Sequence, residues 1–282
     1  MDGILFVDKP VGLTSHDVVY KIKRQFKSPK VGHTGTLDPF ASGLLIVCLG
    51  KATKLAHIFQ NADKAYDATI TFGKFYDTYD VTGTLVQEKE VSLTKEAVLK
   101  VLGNYKKTYL QEPPMYSAIK VDGKKLYDLA REGITIKREL REVTIFELKL
   151  NEMISNDEIS ISTDVSKGTY IRSLAVDIAQ SLGTIGALKT LRRTRVGKYS
   201  VCDAKPLSEL SENDIYKLED LLKTFPKLVV NDYLVHLAKN GTYFDERQIE
   251  TEEPFVVYNE SDELIAYYEP IDKFKYKPVL IL

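Results

Sequence analysis

The densest group of residues able to do chemistry is VGHTGTLDPFASGLL, Val31–Leu45. Gly32, Gly35, Pro39 and Gly43 frame His33, Thr34, Thr36 and Asp38 in a loop ahead of an apolar run, and such a loop holds backbone and side chains close to a ligand. An ionised carboxylate there can attack as a nucleophile or stabilise developing positive charge. The same residues also read as a helix N-cap, with Asp38 capping and Pro39 at the first helical position. His33 and Asp38, five apart, lack the third ligand that a metal site needs.

A second group is SKGTYIRSL, Ser166–Leu174. Arg172 falls near the start of a helix, where the macrodipole disfavours a cation, so a carboxylate or phosphate neighbour is expected; the plainer reading is an arginine reaching into solvent. The third group, LRRTRVGKY, sets Arg192, Arg193, Arg195 and Lys198 beside Tyr199. Basic and aromatic residues together suit phosphate contact and base stacking, and equally the charged outer face of an edge strand. Lys9 and Lys30 flank the first helix and can extend the same basic surface.

The elements that must position these groups are legible in outline. ILFVDKP is a short apolar run stopped by Pro10, and a helix starts at Thr14 or Ser15, with Val18, Val19, Ile22 and Phe26 at helical spacing. GLLIVCLG is bounded by glycines and reads as a buried strand, followed by KATKLAHIFQN as a helix. Strands are expected at Tyr66–Phe72, Val143–Leu150 and Ile159–Val165. An Asp122–Gly123 turn precedes the helical KKLYDLAREG. Ile171, Leu174, Ala175, Ile178, Ala179 and Leu182 recur on one helical face up to Gly183, which predicts a helix over Tyr170–Leu182. LSELSENDIYKLEDLLKTF reads as helical, and short strands such as EPFVVY and LIAYYE follow, with NESDE as their turn. Strands and helices mix without regular alternation, which favours α+β over a doubly wound sheet. A boundary near Phe225 divides residues 1–225 from a small β-rich unit, 226–282, whose core is too small for independence and which therefore packs on the first.

Composition excludes several classes. Apolar residues make up 44% of 282 and charged residues 28%, which argues against extensive disorder. No apolar run approaches the roughly 18 residues that span a bilayer, and MDGILFVDKP has no secretion-signal pattern, so a cytoplasmic protein is expected. Cys48 and Cys202 suggest neither a disulfide framework nor a zinc site. The net charge of −1 conceals a polarity: residues 1–205 carry 31 basic and 24 acidic side chains, whereas residues 206–282 carry 8 and 16. A basic excess on the first part can steer a polyanion, although ordinary solvated surface has the same composition.

KPVGLTSHDVV, GHTGTLDPFASGLLIVCLGKATK, PPMYSAIKVDGKKLYDLAREG, SKGTYIRSLAVDIAQSLG and LRRTRVG, in this order, resemble bacterial tRNA pseudouridine synthases of the TruB type, from about Gly3 to Val201. VVNDYLVHLAKNGTYF resembles the family's small RNA-binding PUA-like domain. The resemblance implies the pseudouridine synthase fold, a mixed, largely antiparallel central sheet flanked by helices. It also implies an enzyme that converts uridine 55 in the T loop of tRNA to pseudouridine with neither metal nor organic cofactor. The implied partner is the T arm of tRNA; no extension for recruiting a protein partner is visible, so no obligatory one is expected, and a monomer is the default expectation. Residue by residue, Asp38 falls on the essential aspartate and Arg172 on the arginine that pairs with it and keeps it ionised. Tyr66, otherwise a half-buried strand tyrosine, falls on the one that stacks on the target base and can transfer a proton. Tyr170 and Leu191 fall on positions lining the base pocket, and His33 on a histidine near the extruded nucleotide. Lys9, Arg192 and Arg195 are expected to contact the RNA backbone.

Overall fold

The computed structural model describes residues 1–282 except 118, 122 and 135 and the side chains of 120, 125 and 131. The strands are, in chain order, β1 Gly3–Lys9, β2 Val31–His33, β3 Ser42–Leu49, β4 Lys64–Phe72, β5 Lys74–Tyr76, β6 Leu85–Glu88, β7 Thr108–Gln111, β8 Lys120–Val121, β9 Lys124–Lys125, β10 Arg141–Ser155 and β11 Glu158–Val165. They continue with β12 Gly186–Val196, β13 Tyr199–Ser200, β14 Lys205–Pro206, β15 Lys227–Val230, β16 Phe244–Asp245, β17 Phe255–Asn259, β18 Leu264–Asp272 and β19 Lys275–Ile281. The helices are α1 Ser15–Gln25, α2 Ala56–Gln60, α3 Lys95–Gly103, α4 Leu126–Arg131, α5 Ile171–Ser181, α6 Leu218–Leu222 and α7 Asp232–Lys239.

Among the described residues the main sheet runs β14-β1-β3-β12-β4-β11-β10-β7, with β13 on β12 and β2 on β3. Only β14 with β1 and β3 with β12 pair in parallel, so the sheet is mixed and largely antiparallel, and the fold is α+β as the element pattern predicts. Alternation explains β4: Tyr66, Ala68, Ile70 and Phe72 are buried while Asp67 is exposed, so one face meets the core. That core gathers Leu37, Tyr66, Leu191 and Ile171 with Val18, Ile22, Leu174 and Ile178 from the apolar faces of α1 and α5. Thr14 caps α1 in a capping box with Asp17, which fixes the helix start at the expected place.

Three readings need correction. LSELSENDIYKLEDLLKTF breaks into short 3-10 turns and the five-residue α6, because Ser211 closes a turn with Asp214 and Tyr216 exchanges both backbone bonds with Ile4 of β1. Likewise KATKLAHIFQN begins as a 3-10 turn, Gly50–Leu55, before α2. The tail is not all strand: α7 forms where Asn231 caps Leu234 N–H at 3.1 Å. Of the Asp122–Gly123 turn, Asp122 lies outside the described residues; β8 and β9 on either side pair antiparallel.

The tail forms a five-stranded sheet, β15-β17-β18-β19-β16. Its Val256, Tyr258, Tyr267 and Leu280 share a buried apolar cluster with Ile4, Leu44, Ile46 and Leu221, so it is welded to the back of β1 and β3. No helix among the described residues is long and apolar enough to cross a membrane.

Candidate active site

The Val31–Leu45 segment is an antiparallel excursion: β2 pairs with the far end of β3, and the chain between them carries Asp38. No helix follows Pro39. Asp38 opens a turn closed by Ala41 N–H on its carbonyl at 3.0 Å, so its carboxylate is not consumed in capping a helix. Gly43 is required here for two reasons. Its φ is +102°, and a Cβ would stand 2.3 Å from the Arg193 carbonyl oxygen where β3 crosses β12.

Buried side chains brace this loop from below. The Ser15 hydroxyl accepts from Leu37 N–H at 2.8 Å and donates to Leu37 carbonyl at 3.1 Å, holding the residue next to Asp38 by both backbone groups. Arg193 is 2% exposed and donates to the Leu44 carbonyl at 2.7 Å and the Gly35 carbonyl at 3.1 Å. Period-2 alternation from Leu191 is the signal that places Arg193 inward, whereas nothing in the sequence marks Ser15.

The Asp38 side chain is 31% exposed and faces Arg172, whose Nε lies 3.0 Å from one carboxylate oxygen and Nη2 3.3 Å from the other. The anion expected beside Arg172 is therefore present, and twice, since Nη1 also reaches Asp80 at 3.4 Å. The remaining guanidinium donors reach the carbonyls of Thr78 at 2.9 Å and Tyr116 at 2.8 Å. Asp80, 3% exposed, is a member of the site that sequence reasoning missed, because DTYDVTG signals only a turn. Its other oxygen accepts from Thr82 N–H and Thr82 hydroxyl, which fixes its direction.

The electrostatic outcome differs from the expectation. Burial pushes the Asp38 carboxyl above the usual carboxylate range; Arg172 and Lys9 pull it down and Asp80 pushes it further up. Arg172 thus offsets desolvation in part and does not overcome it. Burial, followed by Arg193 and His16, holds His33 below the ordinary imidazole range, which favours a neutral ring.

Lys9 is not a surface contact for phosphate. It is fully buried under the loop, donating from Nζ to the carbonyls of Pro10 at 2.9 Å and Leu13 at 2.6 Å, and burial lowers it to about 8. Arg192 and Arg195 do reach the outside of β12, but each is spoken for: Arg192 grips both oxygens of Asp8 at 3.0 and 2.7 Å, and Arg195 those of Asp164 at 2.5 and 2.6 Å. β12 is a central strand and not an edge, so most of its basic side chains need partners within the fold. Tyr66 and Leu191, 8% and 7% exposed, join Leu37 in the core beneath the loop, and Tyr170 precedes α5 half-buried, its hydroxyl pushed up chiefly by burial. Among the described residues no three His, Cys, Asp or Glu side chains converge as metal ligands.

The loop and the helix that meet at Asp38 and Arg172 fall in two adjoining family models. Residues 23–171 match TruB family pseudouridylate synthase (N terminal domain), which is more than half of the chain, and residues 172–230 match the tRNA pseudouridylate synthase B C-terminal domain. The chain belongs to the TruB family. It is 47% identical over 279 residues to tRNA pseudouridine synthase B of Onion yellows phytoplasma, covering 99% of each chain. To the protein of the same name from Acholeplasma laidlawii it is 48% identical over 277 residues, covering 98% of each. Among solved structures it resembles a chain of the Cbf5-Nop10-Gar1 complex with a TM-score of 0.73 at 25% identity, covering 99% of this chain and 83% of that one. The fold seen here is thus shared with a chain solved in a complex of several proteins.

Proposed function

We propose that this chain isomerises uridine 55 in the T loop of tRNA to pseudouridine, with Asp38 as the catalytic carboxylate. Family membership supports the reaction class, and one observation carries the assignment of the residue: Asp38 presents a partly exposed carboxylate held by a buried arginine at 3.0 Å. In the reaction the C1′–N1 glycosidic bond breaks, the uracil turns over, C1′ rejoins at C5, and the proton displaced from C5 is lost while N1 takes one up. The reacting atoms are obstructed while the base is stacked, so the nucleotide must leave the stack, at a cost of a few kcal/mol. Asp38 then meets the sugar or the base as nucleophile or counter-charge. Arg172 holds the carboxylate in one direction through two parallel contacts. Tyr66 and Leu191 form the apolar floor for the uracil, with His33 and Tyr170 at its rim.

The purified chain is expected to act alone, as a monomer in the cytoplasm, with residues 1–225 catalytic and 226–282 a PUA-like unit. The test is tritium release from T-arm RNA labelled at uridine C5. Wild type should release tritium and Asp38→Asn should lose at least about a thousandfold in rate while still binding RNA. A wild-type protein that binds the RNA and releases nothing overturns the reading.

A further inference from the structure

Helix α5 brings Arg172 to Asp38, yet its own first turn lacks the usual fastening. Tyr170 is the N-cap residue and its side chain caps nothing. A different contact, the one an N3 side chain makes in a capping box, comes from another element: Gln111, at the end of β7 and 2% exposed, accepts the N–H of Tyr170 itself on Oε1 at 2.8 Å. The orientation of that amide is itself determined, because Nε2 donates to the Tyr109 hydroxyl at 2.7 Å, and Tyr109 in turn donates to Asp177 at 2.9 Å. Tyr109 and Gln111 lie two apart on one face of β7, while Tyr170 and Asp177 lie two turns apart along α5. The strand therefore grips the helix at two levels. A third bond, Ser173 hydroxyl to the Glu112 carbonyl at 2.6 Å, closes the same seam.

We infer that Gln111 is a positioning residue for the reaction: its buried amide ties the N-cap residue of α5 to β7 and thereby sets the distance of Arg172 from Asp38. The inference rests on the functional reading above. With Gln111 2% exposed and its side chain bonded only within the protein, it acts through the helix and not on the RNA. Arg172 sits two residues beyond the capped N–H, and all its donors are engaged with fixed acceptors, so a small shift of the first turn changes its contact with the carboxylate before anything else.

The test is single-turnover tritium release across pH, at saturating protein, for wild type, Gln111→Met and Tyr109→Phe. Met fills nearly the same volume without the bonds. The titratable groups facing Asp38 are Arg172 from α5, Tyr170 just before α5, Asp80 from the turn between β5 and β6, and Lys9 from β1, and among them Arg172 is the largest influence holding the carboxyl down. Loss of this tie should therefore slow the step between about 10- and 100-fold, leave RNA affinity within about twofold, and move the acidic limb of the profile to higher pH. A purely structural role would lower the rate equally at every pH. That result, or an unchanged rate, overturns the inference. If Gln111→Met fails to fold, Tyr109→Phe carries the test, with a smaller shift of the limb in the same direction expected and an unmoved limb overturning it. A silent wild type overturns the functional reading itself, and this one with it.

Discussion

Two interiors of this molecule dispose of buried polar atoms in opposite ways. Beneath the Asp38 loop the fold encloses ions: Lys9, Arg193, Arg172 and Asp80 are each 6% exposed or less and are satisfied by carbonyls, hydroxyls and carboxylates. The five-stranded sheet encloses rings. Tyr268 stacks on Phe244 and Phe255, and Tyr276 meets Phe255 edge-on. Their hydroxyls are paired, Tyr268 donating to the Thr242 carbonyl at 2.8 Å and Tyr276 to that of Thr251 at 2.9 Å. Enclosed ions cost several kcal/mol each in desolvation, and an apolar replacement of the same volume is often no less stable. In the proposed reading the first set of charges is retained because the reaction uses their field, and the second interior shows what burial looks like when only stability is at stake.

Substitutions in the two interiors should accordingly change different quantities. After the loss already expected of Asp38→Asn, the next largest effect is expected from Asp80→Asn, which removes the other carboxylate beside Arg172: tritium release should fall about 10- to 100-fold. Because Asp80 raises the Asp38 carboxyl, its loss should also move the acidic limb of the rate to lower pH, opposite to the shift expected for Gln111→Met. A limb moving upward in Asp80→Asn would contradict the contrast of the two carboxylates. Next comes Ser15→Ala, which strands the buried Leu37 N–H at a cost of about 1–3 kcal/mol in urea unfolding and loosens the residue beside Asp38, so both stability and rate should fall. Smallest is Tyr268→Phe. It gives up one hydrogen bond, about 1 kcal/mol of stability, and should leave the rate per bound RNA unaltered; a slowed rate would show that the two interiors are coupled.

Much of the site is readable along the chain and some of it is not. The Asp38 loop stands out because glycine, proline and threonine are packed around one carboxylate, and Arg172 because a cation in a first helical turn calls for an anion. Asp80 carries no such mark: its role depends on Arg172, 92 residues away. Lys9 misleads for the converse reason. A lysine before Pro10 looks exposed, and only the folding back of Leu13, whose carbonyl caps its Nζ, encloses it.

What the sequence determines by itself is local. Caps and apolar spacing place α1 and α5 and alternation places β4 and β11, since each depends on residues close together along the chain, and the order of the motifs places the chain in its family. The tertiary structure alone decides which charges are available. Arg192 is neutralised by Asp8, 184 residues earlier, and Arg195 by Asp164, while the Asp38 carboxyl is raised by burial that no neighbouring residue announces. Pairing and desolvation are properties of the space around an atom, and that space is assembled from distant parts of the chain.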